Sequence, residues 1–192
     1  RRCDVANEQS VLYEQLRHSE TIIFNRCDED TRMRYLRNNI KAMNKRAQLI
    51  YEHKDGSIMS SADEQLPFDE HADPLVLEDY DYGIWYMDAL EHPHKYEGRT
   101  VTFAAKVYPI NENRTHAYVA GREAMVCCSD DTSLIGMWVY TDEKKPRPLS
   151  WLRLTGKIRV EYDEDFGGDV CALQEISREV LEDHDDDYVY FT

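Results

Sequence analysis

Two short stretches of the chain combine residue types that can do chemistry. The first is Asn25-Arg26-Cys27-Asp28, which directly follows Thr21-Ile22-Ile23-Phe24. That short, β-branched, apolar run has the character of a buried parallel strand. Open α/β sheets bind ligands off the carboxyl ends of their strands, so the four residues stand at a ligand-binding position. A carboxylate there can accept the N1–H and N2–H donors of guanine together, and adenine offers no matching pair. An Asn amide can donate to N7 or O6 and tie neighbouring loops together. On this reading Asp28 selects the base and Asn25 braces it. The alternative is that Asp28 caps the helix that follows.

The second stretch is Cys127-Cys128-Ser129-Asp130-Asp131, at the end of a strand-like run. Adjacent side chains on a strand face opposite ways, so one sulfur is buried and the other reaches the surface. Thiolates beside the carboxylates of Asp130 and Asp131 can hold Zn²⁺ or a related ion. The alternative is plain packing, since free cysteine is among the most buried residue types. His92-Pro93-His94 reads as a solvated pair before half a metal site. Arg122, beside Gly121, reads as a surface ion pair before an anion contact. Trp85, Trp138 and Trp151 read as core. No GxxxxGK[ST] phosphate loop occurs: the one Gly-Lys pair, Gly156-Lys157, is followed by Ile158 inside a strand-like run. No phosphate or Mg²⁺ position follows from the sequence.

The elements that must position these residues fall into two groups. Leu12 and Leu16 suit the buried stripe of a helix over about residues 5–18. Met33, Leu36, Ile40 and Met43 recur at i, i+3, i+7 and i+10, one face of a second helix. Asp28, Asp30 and Thr31 are its possible N-caps, and Asn44 its stop. Ala47-Gln48-Leu49-Ile50-Tyr51 is a further strand. Strand, helix and strand over residues 20–52 make a βαβ crossover with parallel strands. Residues 54–74, with Pro67, Pro74 and several Ser, Gly and Asp, read as a linker. A short helix around Trp85, Met87 and Leu90 ends near Pro93. Strand-like runs follow at 99–109, 117–128, 134–141, 151–162 and 170–177. Five short strands at that spacing predict a small OB-like β-barrel over 75–181, with 182–192 an acidic, solvated tail. The fold class expected is α+β: a partial Rossmann-like, P-loop-type α/β piece over 1–53, then the five-stranded barrel.

Composition divides at the same place. Residues 1–66 carry 11 basic and 11 acidic residues, and the remainder carries 12 basic and 27 acidic. So acidic a half repels phosphate backbones, which argues against nucleic-acid binding. No apolar run approaches a membrane span. Five irregularly placed cysteines without a CxxC suit a reduced, cytoplasmic protein.

Tyr13-Glu14-Gln15-Leu16, Thr21 to Asp28 and Met43-Asn44-Lys45-Arg46-Ala47-Gln48-Leu49-Ile50 together resemble the second half of the CobW-type metallochaperone GTPases. The resemblance covers about residues 8–53. It implies that Asn25, Arg26 and Asp28 match a guanine-specificity motif, Asn-Lys-x-Asp. Arg26 stands for the usual Lys, whose stem packs against the base, and Lys45 for the usual Pro. It also implies a parent GTPase that binds GTP with help from an N-terminal part of the same polypeptide. The opening Arg1-Arg2-Cys3-Asp4, with neither Met nor an apolar stretch, is consistent with such a part. Tyr96 to Val101, Gly121-Arg122 to Asp131 and Trp151 to Lys157 resemble a second family: the soluble C-terminal domain, of unassigned activity, of YcgQ-type bacterial membrane proteins. That resemblance covers about residues 75–178 and implies a link to metal-responsive genes.

The leading expectation is therefore a fragment of a guanine-nucleotide-binding protein linked to metal handling, with an OB-like accessory domain and no GTP hydrolysis by this chain alone. Its partners would be GTP through the base, Zn²⁺ or a protein client, and neither nucleic acid nor membrane. The alternative is a non-enzymatic binding or regulatory module for a protein or small ligand.

Overall fold

The computed structural model describes residues 8–58, 66–109, 114–125, 132–182, 184, 188–189 and 191. The chain divides into two compact units. One comprises Arg1–Gln65, Met125–Ser133 and Phe191–Thr192, and the other Leu66–Ala124 and Leu134–Tyr190.

The first unit holds α1 (Glu8–His18), β1 (Thr21–Cys27), α2 (Met33–Met43) and β2 (Gln48–His53). β1 and β2 pair in parallel, from Thr21 opposite Gln48 to Phe24 opposite Tyr51. The crossover over 20–52 is thus present. Its core is Ile22, Ile40 and Ala47, with Leu16, Phe24, Met43 and Leu49 packed against it. The Phe24 and Tyr51 rings stack across the strands at 5.1 Å. Asn44 ends α2 and also ties it to α1: its Nδ2 donates to the carbonyls of Leu16 (2.9 Å) and Ser19 (2.8 Å).

Two expectations are corrected here. The N-cap of α2 is Arg32, with no side-chain cap bond, because Asp28 and Thr31 bond to each other in the preceding turn. The partial Rossmann-like piece reduces to this one crossover. After β2 the chain turns back on itself, with His53 N–H donating to the Ser57 carbonyl and Glu52 bridging Ile58 antiparallel. A further parallel strand would need another crossover instead.

The second unit holds β3 (Leu75–Val76), α3 (Asp79–Glu91), α4 (Pro93–Tyr96), β4 (Thr100–Tyr108), β5 (Ala117–Met125) but for Met125, β6 (Thr132–Tyr140) but for Thr132 and Ser133, β7 (Trp151–Asp163), β8 (Gly168–Leu181) and β9 (Tyr188–Val189). The unit is α+β and mostly strand. Its seven strands run β3-β4-β7-β8-β6-β5-β9, and β4 also pairs β5, so β4, β7, β8, β6 and β5 pair in a ring. β6 and β8 are parallel, while β7 pairs antiparallel with both β4 and β8. β4 alternates strictly between buried and half-buried residues. Val101, Phe103, Ala105 and Val107 share its inner face with Leu152, Leu154, Ile158 and Leu173 of the neighbouring strands. β5 and β6 come unusually close at Gly121 and Gly136. A Cβ on Gly121 would strike the Gly136 Cα and lie 2.5 Å from the Ile135 carbonyl oxygen.

α3 is buried on most of its circumference. Tyr82 and Trp85 pack on Phe103, and the hydroxyls of Tyr82 and Tyr86 donate to the carbonyls of Ile135 (2.9 Å) and Gly136 (3.0 Å). An aromatic helix thereby fills the apolar side of the ring; its two tyrosine hydroxyls are satisfied, while the buried Trp85 indole N–H has no partner among the described residues. Within the expected tail, Tyr188 and Val189 form β9, parallel to Glu123 and Ala124 of β5. Pairing there covers a backbone edge that an all-acidic tail would leave open.

Candidate functional site

The end of β1 brings the guanine candidates onto one turn. A register shift after Phe24 and a left-handed Arg26 (φ 59°) bend the strand there, and Asn25, Arg26 and Asp28 are exposed. Both carboxylate oxygens of Asp28 are engaged. Oδ1 accepts from the Thr31 hydroxyl (3.1 Å) and Oδ2 from Lys54 Nζ (3.2 Å). These bonds, Lys54 first, hold the Asp28 carboxyl below its ordinary pKa. The carboxylate is exposed, and its two oxygens are held by Thr31 and Lys54.

The four metal candidates, Cys127, Cys128, Asp130 and Asp131, lie outside the described residues. Among the described residues no group of three or more His, Cys, Asp or Glu has the arrangement of a metal centre. His92 and His94 are exposed and face carboxylates. His92 Nδ1 lies 3.4 Å from Asp88. His94 bridges Glu97 (3.2 Å) and Asp169 (3.0 Å). Asp88 itself is nearly buried. Burial pushes its carboxyl up, but hydrogen bonds from Lys95 (2.8 Å) and Tyr96 (2.5 Å) outweigh that, and its pKa lies below the ordinary value. Cys171 is buried against the carbonyls of Ala89 and Pro93, and burial pushes its thiol up to about 12, so it is an inert packing thiol.

Sequence reasoning missed Arg122. Its side chain is 1% exposed. A guanidinium buried that deeply needs a counter-charge. Asp79, the first residue of α3, supplies it: Arg122 Nη1 donates to Oδ1 at 2.9 Å. The helix N-terminus favours the carboxylate there. The Trp151 ring lies 5.5 Å from the guanidinium, and the His184 ring stacks flat on Trp151 at 4.0 Å. His184 Nε2 completes the set, 3.1 Å from the same Asp79 oxygen. One signal for this existed. Tyr118, Ala120, Arg122 and Ala124 share one face of β5 by the two-residue period, and a cation on an apolar face demands a partner.

Beside this wall runs a groove of about 380 Å³. Leu77, Ala104 and Leu181 give it apolar surface. Glu78, Asp79, Arg153 and His184 give it charge and hydrogen-bonding capacity. Arg153 is exposed and, among the described residues, has neither a hydrogen-bond nor an ion-pair partner. A second polar surface, on β6 and β7 with Arg114 from the segment before β5, is already satisfied internally. Arg114 lies over Trp138 (4.2 Å), Arg159 over Tyr140 (4.4 Å), and the Tyr140 hydroxyl donates to Glu161 (2.9 Å).

A family model described as the DUF1980 C-terminal domain matches residues 53–191. The chain belongs to this family. The DUF1980 C-terminal domain thus takes in the ring, α3, β9 and the groove with its Arg122 wall. The expected likeness of residues 75–178 to a C-terminal domain of unassigned activity holds at this level, and the match extends further at both ends. It begins at residue 53 and does not bear on the crossover. No match to the chain was found among curated proteins. No helix among the described residues is long and apolar enough to cross a membrane.

Proposed function

We propose that this DUF1980 C-terminal domain is a non-enzymatic binding module that takes a small ligand, or the end of a protein segment, in the groove at the start of α3. The observation that carries the reading is the buried Arg122–Asp79 pair with Trp151 and His184. It fixes one wall of the groove in advance, while Arg153 has no hydrogen-bond or ion-pair partner among the described residues. Pre-organisation of this kind lowers the cost of binding. Among the described residues, the groove lining pairs no nucleophile with a base, so recognition fits it better than catalysis. The ring supports an OB-like barrel as the scaffold: β7-β4-β5-β6 is a Greek-key order, and β8 closes it. The buried free thiols Cys27 and Cys171 suit a reducing, cytoplasmic setting.

The test is an NMR fragment screen that follows the amides of Ala104, Arg153 and Leu181. Compounds should shift these amides in the native protein and leave them unmoved in Ala104→Trp, where an indole fills the groove. If no compound moves them, the reading fails.

A second reading keeps guanine recognition at Asn25, Arg26 and Asp28, in a chain linked to GTP and metal handling. The parallel crossover supports it, since Asn25 and Arg26 stand in the C-terminal half of β1 and Asp28 directly follows the strand. Without phosphate contacts this chain binds the base weakly and hydrolyses nothing. Guanosine should shift the amides of residues 25–28 and adenosine should not, with the response lost in Asp28→Ala. Equal shifts from both nucleosides reject it. Zn²⁺ retention by the native protein but not by a Cys127→Ser, Cys128→Ser double variant tests the metal part.

A further inference from the structure

We infer that the ligand of the groove is a small zwitterion, an amine and a carboxylate on one aliphatic frame, of the kind an amino acid or short peptide presents. The inference rests on the binding-module reading and specifies its ligand.

Among the described residues, the groove carries groups of both signs. Glu78 and Asp79 bring two carboxylates, and Arg122 and Arg153 two guanidiniums. A phosphate dianion would meet Glu78 and Asp79, and a simple amine would leave Arg153 unused. A zwitterion uses both signs. Arg153 is the group suited to its carboxylate, because a guanidinium binds a carboxylate through two parallel N–H bonds. Asp79 is the group suited to its ammonium. Its Oδ1 carries both Arg122 and His184, and among the described residues its Oδ2 has no partner. Glu78 adds a second carboxylate to that side. Leu77, Ala104 and Leu181 offer an apolar floor for an aliphatic side chain. A volume near 380 Å³ sits at the small end of ligand sites, which suits an amino acid or dipeptide.

The experiment titrates the full chain with leucine, glycylleucine, 4-methylpentanoate and 3-methylbutylamine, following the amides of Ala104, Arg153 and Leu181. Leucine or glycylleucine should bind at least about tenfold more tightly than either singly charged analogue. Which of the two binds better separates a free amino acid from peptide ends. Arg153→Gln, a change at an exposed side chain, should weaken the zwitterion at least about tenfold and leave the amine unchanged. Two outcomes overturn the inference: a singly charged analogue binding as tightly as the zwitterions, or Arg153→Gln binding leucine as the native protein does. If none of the four moves the groove while other fragments do, the zwitterion is wrong and the binding groove stands. If nothing moves it, both are wrong.

Discussion

The crossover of residues 20–52 and the ring of β4 to β8 each cover apolar strand surface, and they do so to different degrees. In the crossover only Ile40 of the four-residue helical stripe is fully buried, and Ile23 on β1 is 58% exposed. In the ring, Val101, Phe103, Ala105, Leu152, Leu154 and Leu173 are all essentially inaccessible. The difference follows from closure. A ring has one interior shared by every strand, so each inward residue meets others across it. A two-stranded sheet has one helix-covered face and two edges. Close packing then makes the ring intolerant of added volume and leaves the crossover more forgiving.

The strongest challenge to that contrast is Gly121→Ala. The added methyl meets backbone of β6 on its far side, which cannot swing away, so the ring should lose about 3 kcal/mol or more. Thermal unfolding measures it, and a near-neutral result would mean that the two strands can part. Next is Asp88→Asn, which weakens the bonds from Lys95 and Tyr96 and should cost about 2 kcal/mol at neutral pH. The Asp88 pKa is depressed in the folded state. Its contribution is therefore present above the unfolded carboxylate value and is lost as pH falls through the lower folded value. Native and variant proteins should converge in strong acid.

In the crossover, Ile40→Ala should cost about 2 kcal/mol, the low end for such a truncation, because its neighbours Met33, Leu36 and Met43 are only half-buried. Hydrogen exchange sharpens the comparison: amides of β4 and β7 should outlast those of β1 and β2. Comparable protection in both would remove the distinction.

The smallest effect expected is at His94. Glu97 first, then Asp169, raise its pKa. The stabilisation is complete below the unfolded imidazole value and is lost as pH rises through the higher folded value. His94→Gln should therefore lower the melting temperature slightly in mild acid and leave it unchanged in mild alkali. The opposite pH trend would show that the two carboxylates do not act on the ring as charge partners.

Particular elements show what sequence reasoning reaches. The runs 99–109, 151–162 and 170–177 correspond to β4, β7 and β8, because period-two alternation is a local property that survives whatever the strands pair with. The stop at Asn44 was legible, but its two bonds to the end of α1 were not. Tyr188 and Val189 were hidden by the acidic residues before them. Arg122 was read as a surface residue because local sequence gives no sign of how deep a strand lies.

The sequence by itself determined where the longer helices and strands occur and the parallel sense of the crossover. Each follows from spacing and polarity along the chain. Tertiary structure alone decided that β4 meets β5 to complete the ring, that the chain end returns as β9, and that Arg122 is buried on Asp79. It also set Arg153, Asp79 and Leu181 around one groove. The Asp79 contacts join residues far apart in the chain, 43 positions to Arg122 and 105 to His184. Periodicity specifies which face of an element is apolar, whereas its partner is selected by the packing of the whole interior.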